Sequence, residues 1–516
     1  MRSGSGKIRI SDIEDGDTLG EFSFEDLEGD PRDMKGLNNL LESFANDADM
    51  YSKDELARKL FTEERRADSI QIRMKPGFGN IVEFDCSIKF QSLTECIIDW
   101  GDNSSNNVEL YSNTPTQMKH TYADNEDKLI VVYGVFNLKT KKVPLFGKME
   151  QLGTIIDIID FGTVGTTLLQ TNNLFENFKG ERFYANNYPS FYNWENCKNW
   201  SAMFKNAINF NDDISLWEGS PTTIDEMFSG CLNFNKPVEI ESSNLMSMNY
   251  TFNDCKKFNE VFKVDTSNVI SAKGLFKNCQ YFNQDINYWN VETLINSSEM
   301  FMGCNSFNSN INNWNLINLR YMANMFNGSI MFNSSLNNWN VSKVRDMYGV
   351  FKDAINFNAD ITSWNLENVN TMEYMFYGAE KFNQDLGKWD MSSVQNTSHM
   401  FEYAYVFNQD VSKWNMSNII YCNNMFAYAV DFNQDLNKWD MSNVLSIKQM
   451  FNNADKFAIG PVEWNTENCV DMTGTFYNSD IQSQDTDFSN WNVNKVLKFY
   501  YFLNSDSLSN PPSWKI

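Results

Sequence analysis

The stretch "KFNQDLGKWDMSSVQNTSHMF" at 381–401 returns as "DFNQDLNKWDMSNVLSIKQMF" at 431–451, with a looser copy between them. Aligning on the closing phenylalanine places Phe204, Phe228, Phe252, Phe276, Phe301, Phe326, Phe351, Phe376, Phe401, Phe426, Phe451 and Phe476 in one register. The steps are 24, 24, 24 and then 25 throughout, and Tyr501 continues the count. A fixed period of this size implies a solenoid, in which each coil buries a face only by stacking on its neighbours. A second aromatic slot (Phe282, Phe307, Phe332, Phe357, Phe382, Phe407, Phe432) keeps the same period. So does a tryptophan slot running from Trp289 to Trp464. Like side chains should therefore stack on like.

Within one coil, Val444, Ile447, Met450, Phe451 and Ala454 fall on one helical stripe, which predicts a short helix or 3-10 turn. Asp390, Asp440, Asn340 and Asn365 precede that segment as N-cap candidates. The stretch ahead is too short for another helix and predicts a strand around Asp435 to Lys438. Parallel strands about 4.8 Å apart would give a rod or arc on the order of 60 Å long. Asn283, Asn308, Asn333, Asn358, Asn383, Asn408 and Asn433 form one more slot. An internal amide stack serving the turn backbone is the expected reading, since buried polar groups need partners.

The unit "MF-x-x-A-x-x-FNQD-L-x-x-WD-x-S-x-V-x-x-M" resembles the BspA-like leucine-rich repeat of surface proteins, over roughly 201–503 and with a degenerate copy near Phe175. The resemblance implies an α+β, leucine-rich-repeat-type solenoid and a role in adhesion or surface display. It brings no catalytic residues.

Composition narrows the function. With 42% hydrophobic and 15% aromatic residues in 516, the chain can bury a large core. A net charge of −25 opposes binding to nucleic acid or anionic lipid, which needs clustered Lys and Arg. No apolar run is long enough to span a bilayer, and the start lacks the apolar core of a secretory signal.

Nine cysteines raise the question of metal or disulfides. Cys231, Cys255, Cys279 and Cys304, however, share a slot filled elsewhere by Ala or Ser, so a small buried side chain is what that slot requires. Only two histidines, His120 and His399, are available for nucleophilic catalysis, and His399 is expected on a solvated face. Asp285, Asp360, Asp385, Asp410 and Asp435 repeat in register, yet a regular row supplies neither a cleft nor a raised pKa. Lys388, Lys413 and Lys438 partly neutralise it, so the row reads as a solvated contact face.

Ahead of the repeats, "NIVEFDCSIKF" and "KLIVVYGVF" alternate as strands do. Ile98, Asp99, Trp100, Gly101, Asp102, His120, Thr121 and Tyr122 resemble the "WGDG…HTY" pattern of polycystic-kidney-disease (PKD) domains. Asn103 departs from that pattern where a second turn glycine is common. The resemblance implies an immunoglobulin-like β-sandwich over 70–150, acting as a spacer or carbohydrate-contact module. "SKDELARKLFTEERRA" at 52–67 has capping-box spacing at Ser52 and Glu55 and predicts a helix. Gly4, Gly6, Ile8, Ile10, Ser11, Asp12 and Ile13 resemble a short N-terminal segment of tailed-phage structural proteins.

The expected layout is an attachment arm (1–30), helical linker (31–69), PKD-like sandwich (70–150), cap with degenerate repeats (151–200), solenoid (201–503) and tail (504–516). The expected function is non-enzymatic: a virion structural or adhesion protein of a phage head, neck or tail fibre. Ile8, Ile10, Ser11, Asp12 and Ile13 would dock it to other virion proteins in a multi-copy assembly. The Asp row with Tyr403, Tyr405 and Tyr428 would meet a host protein or glycan. No cofactor, metal, nucleic acid or membrane insertion is expected. A cell-surface adhesin of a bacterium or protist is the alternative, and a carbohydrate-active enzyme a distant third.

Overall fold

A computed structural model describes residues 197–503 apart from 216, 218, 462 and 484–486. Before them it describes the backbone of the strands named below, with residues 122, 123, 175, 176 and 178. The chain divides into two compact units, Met1–Cys197 and Lys198–Ile516. Among the described residues no helix is long and apolar enough to cross a membrane.

In the first unit, β1 (Lys7–Arg9) pairs antiparallel with β2 (Glu21–Ser23), setting Ile8 opposite Phe22. Ile10, Ser11, Asp12 and Ile13, and the helix expected at 52–67, lie outside the described residues. The strands β3 (Ser69–Pro76), β4 (Ile81–Cys86), β5 (Thr94–Asp99), β6 (Ser105–Leu110), β7 (Thr116–Thr121) and β8 (Lys128–Tyr133) follow. β9 (Gly153–Asp160) and β10 (Arg182–Phe183) join the larger sheet, whose order is β10-β9-β3-β8-β5-β6. That sheet thus draws on residues beyond 150. β4 and β7 form a separate antiparallel pair with Val82 opposite His120. Trp100, Gly101, Asp102 and Asn103 of the PKD-like turn lie outside the described residues.

In the second unit, successive repeats pair in parallel through one residue each, from Asn199 and Thr223 through Ser446 and Asp471 to Lys498. Inside the stack run three aromatic columns. The landmark phenylalanines Phe204 to Phe476 follow one another with ring centroids 5.4–5.9 Å apart. The second column, Phe210 to Phe457, repeats at 5.7–6.0 Å. The two columns face each other closely, as Phe351 and Phe357 do at 3.8 Å. Trp289 to Trp389 and Trp414 to Trp491 form the third column at 5.8–6.4 Å. From Trp314 onward each indole Nε1 donates to a carbonyl of the preceding coil at 2.8–3.4 Å. Burying so much aromatic surface is the main stabilising contribution here.

The short helix or 3-10 turn expected over 444–454 is instead a run of turns. Met450, Asn452 and Ala454 donate to the carbonyls three residues back. The alternate N–H groups, of Ile447, Gln449, Phe451 and Asn453, donate to the next coil. Gln449 and Asn453 take positive φ, the value a type II turn needs at its third position. Half of the donors are thereby drawn to the neighbouring coil, which an α-helix would forbid. Asp390, Asp440, Asn340 and Asn365 do not cap helices; each accepts the N–H two residues on, closing an Asx turn.

The strand expected around Asp435 to Lys438 is also an Asx turn, with Asp435 accepting from Asn437. Among the described residues of the repeats, strands occur at the equivalent place only where the tryptophan slot holds Glu241 or Asp265. There β11 (Val238–Ile240) and β12 (Phe262–Val264) pair in parallel, inward residues alternating with outward ones. Lys263 and Glu239 pair at 3.0 Å on the outer side. At the end of the array Phe502, buried, takes the landmark position and accepts from Phe476, while Tyr501 is exposed. A longer loop containing the 3-10 turn Asp480–Ser483 shifts the register and displaces Tyr501 from that column.

Candidate contact surface

Most recurring polar groups hold the coils together. Each Asn from Asn211 to Asn433 accepts, through Oδ1, the backbone N–H at the same slot of the next coil, at 2.7–3.1 Å. This amide ladder lies at the surface, half-buried or exposed, and is not internal as expected. Cys231, Cys255, Cys279 and Cys304 are fully buried and free, each Sγ 2.9–3.0 Å from a landmark carbonyl of the preceding coil. Ser329 makes the same bond at 2.6 Å. Burial pushes these four thiols well above their ordinary pKa, and that of Cys469 up to about 12.

The acidic row serves the backbone too. Asp285, Asp385, Asp410 and Asp435 are exposed, yet each accepts the N–H of the residue two places on. Asp360 does the same for Thr362 and also accepts from Asn337. The hydroxyl and N–H of Ser412 hold the Asp410 carboxyl below its ordinary range.

The tyrosines behave differently. Tyr403 stacks on Tyr428 at 4.6 Å and meets Tyr405 edge-on at 6.3 Å, so the three tyrosines singled out in the sequence come together. They extend a larger cluster. Tyr377 lies 5.3 Å from Tyr403, Tyr374 lies 5.6 Å from Tyr377, and Tyr348 lies 5.5 Å from Tyr374. His399, expected on a solvated face, is half-buried: its ring is stacked flat on Tyr374 at 4.3 Å, and Nδ1 is 2.5 Å from the Glu402 carboxylate. Lys352 Nζ sits 5.1 and 5.0 Å from the ring centres of Tyr374 and Tyr377.

Backbone geometry builds this patch. Tyr374, His399, Tyr403 and Tyr428 all have positive φ, in the turns that project side chains outward from the landmark column. Gly378 occupies the slot of Tyr403 and Tyr428, and a Cβ there would stand 2.5 Å from Asp353 Oδ1. Burial, and then the charges of Glu373 or Glu402, raise the phenols of Tyr348, Tyr374, Tyr377 and Tyr403, keeping them protonated as donors.

Tyr348, Tyr374, Tyr377, His399, Glu402 and Lys352 escape a reading by period because their slots hold unlike residues from coil to coil. Pairing positions 25 or 26 apart around the landmark would have found them, as with Tyr374 and His399, or Tyr377 and Tyr403. Among the described residues no three His, Cys, Asp or Glu side chains converge as a metal site would require.

The family model described as "Mycoplasma protein of unknown function, DUF285" matches residues 167–262, 222–337, 298–410, 383–491 and 431–515. No curated protein and no solved structure matches the chain.

Proposed function

Since the chain belongs to the DUF285 family, whose model covers it from 167 to 515, we propose that it is a non-enzymatic contact protein. In this reading the repeats form a leucine-rich-repeat-type solenoid that displays the tyrosine cluster to a host protein or glycan. The strand-rich segment 70–150 forms a PKD-like spacer. The segment around Ile8 docks the chain, in many copies, to the other proteins of a phage particle. The observation that carries the reading is the division of labour on the coils. The asparagine ladder, the aspartate row, the cysteine slot and the indoles from Trp314 onward are committed to backbone bonds, while the tyrosines gather half-buried on a face where their slots are free to vary.

A second reading, favoured by the family description's naming of Mycoplasma, a bacterium, is a cell-surface adhesin with the same contact face. Purified particles probed with an antibody to the chain separate the two. Detection there supports the virion role, and labelling of intact bacteria with none in particles supports the adhesin. The contact role is tested by replacing Tyr377, Tyr403 and Tyr428 with serine: loss of attachment with an unchanged melting temperature is expected. Polysaccharide turnover by the purified chain would instead point to a carbohydrate-active enzyme.

A further inference from the structure

We infer that the tyrosine cluster takes the cationic side chains of a basic partner protein, arginine above all, and that Lys352 is a built-in occupant which they displace. The inference rests on the reading of this cluster as the contact surface and names the partner's chemistry.

Aromatic ring faces carry a negative quadrupole and attract cations within about 6 Å. Lys352 meets that condition over two rings at once. Carboxylates stand around the same rings: Glu373 and Glu402 act on Tyr374, and Glu402 and Asp353 on Tyr377. The face thus combines ring quadrupoles with negative charge, on a chain whose net charge of −25 draws basic partners from a distance.

A second cation and ring pair shows what an occupied, closed arrangement looks like. Lys273 and Lys277 lie 5.7 and 6.0 Å from the Tyr250 ring, and Glu299 binds both ammonium groups, at 3.4 and 2.6 Å. Lys352 has no such anchor: among the described residues no carboxylate lies within 4.0 Å of its Nζ. Asp353, next to it and half-buried, accepts no hydrogen bond from any described residue, and burial raises its carboxyl. A lysine held by rings and by the longer-range charge of Asp353, with no close ion pair, is easily exchanged. A guanidinium from outside would stack on the same rings and supply the hydrogen bonds that Asp353 lacks.

The test titrates the full chain with a fluorescent peptide alternating Arg and Gly, and with a Gln and Gly peptide of equal length, at physiological salt. The arginine peptide should bind and the glutamine peptide should not. Lys352→Met should tighten binding roughly two- to fivefold by removing the internal competitor. Tyr374→Leu with Tyr377→Leu should weaken it about tenfold or more, whereas Tyr374→Phe with Tyr377→Phe, which keeps the rings and guards against misfolding, should not. Glu239→Gln with Glu241→Gln, exposed acids on earlier coils, should leave binding unchanged.

Unchanged or weaker binding by Lys352→Met overturns the inference, as does an equal loss in the Glu239 and Glu241 variant. If the arginine peptide fails to bind, or a glycan binds in its place, while the tyrosine variants still lose attachment, the partner class is wrong and the contact surface stands. Attachment that survives the tyrosine variants removes the contact surface itself.

Discussion

Two rows of stacked rings run through the same coils, and they obey different rules. The inner row, Phe326 to Phe426, is fully buried, and its rings follow one another nearly parallel at 5.5–5.7 Å. The outer row of Tyr348, Tyr374, His399, Tyr403 and Tyr428 includes a flat stack at 4.3 Å and a tilted contact at 5.5 Å. Identical neighbours on both sides force identical geometry on the inner rings. With solvent on one side, the outer rings adapt to whatever each coil supplies. Periodicity therefore marks architecture, and departure from it marks side chains that the stack itself does not fix.

The widest gap between the rows should appear on truncation. Phe376→Ala opens a void between two stacked columns and is expected to cost about 3–5 kcal/mol in chemical denaturation. Tyr428→Ala on the outer row should cost about 1 kcal/mol or less. A comparable loss at both would erase the distinction.

Within the tryptophan column the first member is the informative one. Trp289 Nε1 is the buried side-chain polar atom that lacks a partner among the described residues, because strand β12 replaces the loop whose carbonyl would accept it. Trp414 Nε1 donates to Leu386 at 2.9 Å. Trp414→Phe should cost about 1 kcal/mol more than Trp289→Phe, since only the former removes a hydrogen bond, the Leu386 carbonyl keeping the Trp389 N–H. Equal melting temperatures would show that the indole bonds add nothing.

The cysteine slot offers a smaller effect. Cys231, Cys255, Cys279, Cys304, Cys422 and Cys469 are free and buried, with thiols raised by desolvation, so a thiol reagent should label them only as the chain unfolds. Cys304→Ser should change stability by about 1 kcal/mol or less, its hydroxyl repeating the Ser329 bond to the landmark carbonyl of the coil before.

The smallest effect belongs to the acidic row. Because the Asp410 carboxyl titrates lower in the folded state than its ordinary 3.8, its contribution is present above that value and is lost as pH falls through it and below. Asp410→Asn should match the parent at neutral pH, as Asn310 closes the same turn elsewhere, and should flatten the acid limb of a stability profile.

The repeat, the three aromatic columns, the small buried slot and the asparagine ladder could all be read from spacing, because each is a side chain meeting its own copy. The expected short helix or 3-10 turn gave way to other turns for a physical reason. Apolar spacing at Ile447, Met450, Phe451 and Ala454 records which side chains face inward, and a helix and a staircase of turns present the same inward set. They differ in where the N–H groups point, which side-chain pattern does not encode. The Asp row was recognised as periodic and expected on a contact face; its bond to its own backbone two residues on is a feature that spacing alone does not show.

The chain alone settled the period, the membership of each column and the chemical character of the array, because these follow from what stacks on what. Folding in three dimensions decided which way each N–H turns, and it drew Tyr348, Tyr374, Tyr377, His399 and Tyr403 from unlike slots into one patch. Proximity across coils with differing offsets depends on positive-φ turns and on the room neighbours leave, and no single period carries that information.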